Sequence, residues 1–300
     1  MALKNWIAAA RLRTLPLAAS CTLTGSALAW QEDKGNWKIF GFALLTTFLL
    51  QILSNFANDY GDFTKGVDNA ERVGPQRALQ SGSITQEQMK NALLVCALLT
   101  LLSGLILLWV SLAAAGLFLY ALVMLGFGLL AILAAFRYTM GKNPYGYRGL
   151  GDVFVFLFFG LVGVCGTYFL YTHTWNSWTL LPAVTIGLLS AAVLNLNNLR
   201  DHVNDAASGK RTLVVVIGFE KGKYYQLMLV VMAFVSALVW MVAHNYHPVQ
   251  WTAMLPLGIP LLLLPKLFAT RNPALLDADL KKIALSAFLF SVFFFIVWFL

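Results

Sequence analysis

Three long stretches of this 300-residue chain contain no Asp, Glu, Lys or Arg: residues 91–136 (46 residues), 153–199 (47) and 224–265 (42). Uncharged runs of that length cannot cover a water-exposed surface. As a single helix, 46 residues would extend roughly 69 Å at ~1.5 Å per residue, about twice the ~30 Å hydrocarbon thickness of a bilayer. Each run must therefore fold back as a hairpin of two spanning helices, with reversals expected at residues 111–116, 172–178 and 244–248. Residues 14–30 and 37–57 before these hairpins, and 283–300 after them, complete an expected all-α integral membrane bundle of nine transmembrane helices.

An odd number of crossings puts the termini on opposite sides, and the basic residues indicate which is which. Of the 21 Lys and Arg, 19 fall in the amino-terminal segment and in the loops after spans two, four, six and eight; only Lys34 and Lys38 face the other way. The positive-inside rule then makes the amino terminus cytoplasmic and the carboxyl terminus external, as in a multi-pass protein of the cell inner membrane. The first span reads as a retained helix rather than a cleaved signal, because no small-residue cleavage site follows it. The net charge of +8 is spread over short inter-helix loops, which fits anionic lipid head groups and an anionic substrate and not nucleic acid. Cys21, Cys96 and Cys165 lie inside spans, without metal-ligand spacing or a pair that indicates a disulfide.

Two acidic clusters end hydrophobic helices on that basic side. Asn55, Asp59 and Asp62 follow i, i+4, i+7 with Asn58 beside them; Asn198, Asp201 and Asp205 follow i, i+3, i+7. Helical neighbours at such spacings have Cβ atoms ~5–6 Å apart, close enough for two carboxylates to share a metal or its waters. Crowded carboxylates at a membrane boundary are costly without a cation. Mg²⁺ suits hard oxygen donors and commonly binds one or two carboxylates together with substrate phosphates. The plain alternative is a pair of solvated helix ends, but two such clusters on one face, each trailed by basic residues, speak against it. Asp68 extends the first cluster as a further candidate ligand, while Glu71 reads as a loop charge.

Lys65, Arg72 and Arg77 follow the first cluster, and Arg200, Lys210 and Arg211 flank the second. Arg offers phosphate a planar fork and Lys a point charge, although the positive-inside bias alone would also place them here. Arg137, Tyr138, Lys142, Tyr145, Tyr147 and Arg148 close span four and fill the next loop; they could hold a flat anionic ring or simply belong to the aromatic belt. Asp152 would orient that loop or cap the helix it begins. Thr85 is positioned to cap a helix starting at Gln86. The four His residues sit mostly at loops, the many Phe residues read as packing or lipid-facing, and no Ser-His-Asp order, HExxH, P-loop or dinucleotide fingerprint is present.

The clusters lie four spans apart and approach the same face in the same direction. This is the pattern of a parallel duplication (spans 1–4 and 5–8, plus span 9) within a single domain over residues 1–300, with the site between the halves.

With these paired motifs, the chain resembles the UbiA superfamily of intramembrane aromatic prenyltransferases over nearly its whole length. The segments around residues 58–62, 137–152 and 197–213 are similar to the branch that prenylates 1,4-dihydroxy-2-naphthoate in menaquinone synthesis. The first motif departs from the general NDxxDxxxD pattern: Asp62 follows Asp59 at i+3, but the last carboxylate is delayed to Asp68. The resemblance implies that Asp59, Asp62, Asp201 and Asp205 hold Mg²⁺ against the diphosphate of a polyprenyl diphosphate, with Lys65, Lys210 and Arg137 taking further charge. It also implies that an electron-rich naphthoate carbon attacks with loss of CO₂. Acceptors of the 4-hydroxybenzoate, homogentisate or porphyrin type are alternatives within the family. A cation-coupled transporter is a reading of another class, which would place carboxylates near mid-bilayer on a path open to both faces.

Overall fold

A computed structural model of the chain describes residues 3–68, 74–244, 246–297 and 299. In it, each charge-free run folds back on itself. The long helices are α1 (Leu15–Gln31), α2 (Trp37–Thr64), α3 (Gln86–Ser111), α4 (Phe118–Arg137), α5 (Gly151–Thr172), α6 (Leu180–Ala207), α7 (Phe219–Ala243), α8 (Pro248–Ala269) and α9 (Leu276–Ile296). The reversals between α3 and α4, α5 and α6, and α7 and α8 fall at the three expected breaks. The first closes on Gly116 at φ 78° and the second on His173 at φ 58°. Thr85 caps α3 in a full capping box with Gln88. No strand forms among the described residues; a lone bridge joins Arg148 to Arg211.

Among the described residues, seven of these segments, α2 through α8, are long and apolar enough to cross a membrane. The other two fall short for different reasons. α1 has 17 residues, about 26 Å of helix. α9 begins at Leu276, seven residues before the expected span, and carries Asp277, Asp279, Lys281 and Lys282 in its first turns. Those charges are tolerated because they are paired: Lys266 donates to Asp279 at 2.7 Å, and Arg200 to Asp277 at 2.6 Å. The expected end of this span, Leu300, lies outside the described residues. α2 also continues two turns past the expected residue 57, so both aspartates of the first cluster are helical.

α6 is the axis of the bundle. Within its apolar stretch 67% of residues are buried, against 11% for α4, which faces outward. Small residues let backbones approach closely: a Cβ on Gly160 of α5 would lie 2.9 Å from Gly187 Cα on α6, and one on Gly25 of α1 would lie 2.7 Å from Thr167 Cβ on α5. Around the first of these crossings α5 winds as a π-helix over Phe156–Cys165. A second, smaller core, including Leu53, Phe56, Leu79, Ile84 and Met89, packs the end of α2 against the start of α3 and the amino-terminal helix Leu3–Ala10.

Candidate active site

The ends of α2 and α6 meet at one end of the bundle, and their carboxylates are buried: Asp59 is 1% exposed, Asp62 2%, Asp68 6%, Asp201 6% and Asp205 3%. Buried carboxylates need cations or donors, and those present come from segments remote in sequence. The guanidinium groups of Arg11 and Arg77 both pair with Asp59, and Arg77 Nε also lies 3.8 Å from Asp68. Asp62 accepts from the Tyr147 hydroxyl at 2.8 Å and pairs with Lys210 Nζ at 3.2 Å. That ammonium also stands 4.0 Å from Asp205, so one cation bridges the two clusters. The Asn204 side-chain amide donates to the Val67 carbonyl at 3.1 Å, a second tie between them. Asp201 instead takes both arms of its neighbour Arg200 at 2.8 and 2.6 Å, and the same guanidinium reaches Asp277.

Burial alone would lower the Lys210 pKa, but Asp62 and Asp205 overcome it and hold the ammonium above its ordinary value. Burial, reinforced by Asp62, pushes the Tyr147 and Tyr138 phenols well up, so both remain protonated. Lys65 Nζ and Lys210 Nζ each lie 5.4 Å from the centre of the Tyr147 ring, and Lys65 donates to the Gly141 carbonyl at 3.1 Å.

The remaining sequence-predicted residues divide into wall and rim. Asn55 is buried and donates to the Ala10 carbonyl at 2.9 Å and the Thr14 hydroxyl at 3.0 Å, anchoring the amino-terminal segment over the site. Asn198 is buried beside Asp201. Tyr145 stacks on Phe154 with centroids 4.0 Å apart, and Tyr138 meets Tyr145 edge-on at 5.4 Å. Arg137, Lys142 and Arg148 are exposed. Arg72 and Glu71 lie outside the described residues.

Below the carboxylates runs a cavity of about 280 Å³, bounded by α1 to α5. Its head is formed by Gln51, Ser54, Tyr138, Tyr145 and Phe154, and its far end by Ala43, Leu108, Met124 and Leu170. From Ala43 to Ser54 it follows α2 for about 17 Å. Its walls are chiefly aliphatic and aromatic, the surface an uncharged hydrocarbon tail requires.

Among the described residues, no three carboxylate, imidazole or thiol side chains converge on one point as a metal cage does. Internal cations pair with the carboxylates instead. The donor set nevertheless fits a divalent ion. Asn58 Oδ1 and Asn204 Oδ1, one in each cluster, are buried oxygens with no hydrogen-bond partner. They add neutral hard donors to carboxylates already gathered around shared cations.

The pattern of the UbiA prenyltransferase family matches residues 18–292. The chain belongs to the UbiA prenyltransferase family. This UbiA-family chain is 44% identical over 298 residues to the 1,4-dihydroxy-2-naphthoate octaprenyltransferase of Haemophilus influenzae, covering 97% of this chain and 94% of that one. Its fold is similar to the apo structure of a UbiA homolog from Aeropyrum pernix K1, with a TM-score of 0.66 at 14% identity over 96% of this chain and 98% of that one. It is also similar to a UbiA homolog from Archaeoglobus fulgidus bound to DMAPP and Mg²⁺, with a TM-score of 0.57 at 13% identity over 98% of each chain.

Three site residues escaped the sequence reading. Arg11 counted only as a topological charge, yet it reaches an aspartate 48 positions away. Asn204 sits one position off the i, i+3, i+7 face, and its orphaned oxygen is visible only in three dimensions. Asp277 lies before the span expected over 283–300 and falls in the first turn of α9.

Proposed function

We propose that this chain transfers a polyprenyl group from polyprenyl diphosphate to 1,4-dihydroxy-2-naphthoate, with loss of CO₂, to give demethylmenaquinol. One observation carries the reading: acidic clusters from α2 and α6 share a bridging cation, Lys210, at the head of an apolar cavity. A diphosphate needs cations at the head, and an isoprenoid tail needs the cavity. The relative of 44% identity is named a 1,4-dihydroxy-2-naphthoate octaprenyltransferase.

Asp59, Asp62, Asp201 and Asp205, with Asp68, Asn58 and Asn204, would hold Mg²⁺. When bound, Mg²⁺ supplies charge that stabilises the departing diphosphate. The chain's own cations work to the same end. Lys210 and Arg77 are held against carboxylates within the site, and Lys65 stands at its edge, so each is placed to take up diphosphate oxygens. Tyr138, Tyr145 and Phe154 frame a flat space between head and tail, where an aromatic ring would lie beside the first carbon of the prenyl chain. The buried setting keeps water from an electron-poor allylic carbon.

The topology belongs to the same proposal. Nine crossings follow if α1 and α9 span together with the seven qualifying segments. With 19 of 21 basic residues at the site's end of the bundle, that end faces the cytoplasm and the carboxyl terminus lies outside the inner membrane. The paired orphan amides of Asn58 and Asn204 support a single domain built by duplication.

The test is mass spectrometry of products from purified protein, Mg²⁺, a polyprenyl diphosphate and a panel of aromatic acids. Prenylated, decarboxylated naphthoquinol is expected. Prenylation of another acid in place of the naphthoate would overturn the acceptor assignment, and no transfer to any acid would overturn the function.

A further inference from the structure

Asp152, in the first turn of α5, stands apart from the other buried carboxylates. It is 4% exposed, and neither of its oxygens accepts a hydrogen bond from a neighbouring residue. Asp59, Asp62, Asp201, Asp205 and Asp279 all face a Lys or Arg at ion-pair distance; Asp152 faces none among the described residues. A position near a helix N-terminus stabilises a carboxylate by at most ~2 kcal/mol, far less than burial of an unpaired charge costs. A fold that gained nothing else from this position would be better served by an apolar residue there.

Its surroundings indicate what it would meet. Gly151, the preceding residue, packs against Tyr138: a Cβ there would lie 3.2 Å from the ring and 3.5 Å from the hydroxyl. Two residues on, Phe154 stacks with Tyr145 at the head of the cavity. The Tyr138 and Tyr225 phenols lie within electrostatic reach of Asp152, from α4's end and from α7, but neither donates to it. An acceptor without donors beside an aromatic frame suits a hydroxyl-bearing flat ring.

We infer that Asp152 is a catalytic residue that takes the proton from the ring hydroxyl next to the reacting carbon of the aromatic acceptor. The inference rests on the prenyl-transfer reading above. The hydroxyl O–H bond breaks toward Asp152, and the oxygen electron pair moves into the ring. The ring carbon forms its bond to the prenyl carbon while the C–O bond to diphosphate breaks, its electron pair leaving with the diphosphate. The ring then holds a ketone β to its carboxylate. Breaking the C–CO₂ bond returns electrons to the ring, and Asp152 gives its proton back to the oxygen. Nothing is oxidised, and the proton is conserved.

The test compares wild type with Asp152→Asn on two acceptors, the hydroxynaphthoate and its ether methylated at that oxygen. Wild-type protein forming product on the unmodified acceptor secures the underlying reading first, so the two failures are distinguishable. On the unmodified acceptor, D152N should lose roughly 10²–10⁴-fold in kcat, the usual contribution of a positioned acid–base, with binding of the prenyl diphosphate unchanged. On the ether, wild type should be slowed comparably and D152N should cost nothing more. Wild-type turnover by D152N, or losses that multiply, would overturn the assignment. If D152N does not insert, Asp152→Ser carries the same comparison; failure of both variants to fold would make Asp152 structural and refute the role.

Discussion

Replacing Lys210 by Met removes a cation that bridges both acidic clusters while keeping most of the stem's volume. Its Nζ stands 3.2 Å from Asp62 and 4.0 Å from Asp205. At an effective dielectric of ~20 these contacts are worth about 5 and about 4 kcal/mol gross. Desolvation of three buried charges offsets most of that sum. Removing one partner of a buried pair typically costs about 3–5 kcal/mol, because the remaining charge is stranded. Here Asp62 keeps the Tyr147 hydroxyl, and protonation of a carboxylate caps the loss. We therefore expect K210M to lose about 3–5 kcal/mol in denaturant unfolding of the detergent-solubilised protein, followed by tryptophan fluorescence. Adding Asp62→Asn should return part of it: the double variant should be about 1–3 kcal/mol more stable than the two single losses added together. A K210M loss below about 1 kcal/mol, or strict additivity, would refute the bridging role.

Because the Lys210 pKa is raised in the folded chain, its stabilisation is complete below the ordinary 10.5 and is lost as pH rises through the folded value; the stability gap between wild type and K210M should stay flat through neutral pH and close only above 10.5. Asp59→Asn and Asp201→Asn should each abolish Mg²⁺-dependent prenyl transfer in protein that still elutes as a folded species; full activity in both would defeat the metal assignment. Gly61→Ala would set a Cβ 2.6 Å from Thr139 Cβ and 2.8 Å from the Thr139 carbonyl carbon, which should cost about 1–3 kcal/mol and displace the flanking Asp59 and Asp62, read as a lower melting temperature and a raised KM for the diphosphate. Ala43→Phe should plug the far end of the cavity, lowering turnover of long prenyl diphosphates more than short ones in a competition assay; equal losses would place the tail elsewhere.

The helical layout was legible because a bilayer allows few solutions: charge-free runs longer than one crossing must reverse, and they reverse at the breaks the residues mark. The two clusters were legible for the same reason, since acids at helix ends in so apolar a chain need an explanation. Contacts that depend on which loops fold over which helix ends were not. Arg11 carries no local signal; its pairing with Asp59 follows from a left-handed residue, φ 49°, that turns the chain back over α2. The i, i+3, i+7 face placed Asp201 beside Asp205, but the immediate neighbour Arg200 captures it, a choice governed by Asp277 on α9. Hydropathy also says nothing about where helices leave space. The aliphatic stretches of α2 and α6 look alike in composition, yet one borders the cavity and the other is buried.

That asymmetry fixes where chemistry can occur. α2 supplies both the cavity wall up to Ser54 and the carboxylates from Asp59 onward, so a single rigid helix sets the distance between tail and head group. Five residues of helix are about 7.5 Å, so on the proposed reading the junction of tail and diphosphate would lie about a turn and a half below Asp59. Tyr138, Tyr145 and Phe154 border the same cavity as Gln51 and Ser54. On the proposed reading the acceptor ring would lie beside these aromatics and the prenyl carbon, near the start of α5. Gly160 and Gly187 lock α5 to the buried axis α6, and the Tyr147–Asp62 bond ties the α4–α5 loop to α2. The elements that would hold acceptor, tail and diphosphate thus share one rigid frame, and proximity here is a property of the fold before either substrate arrives.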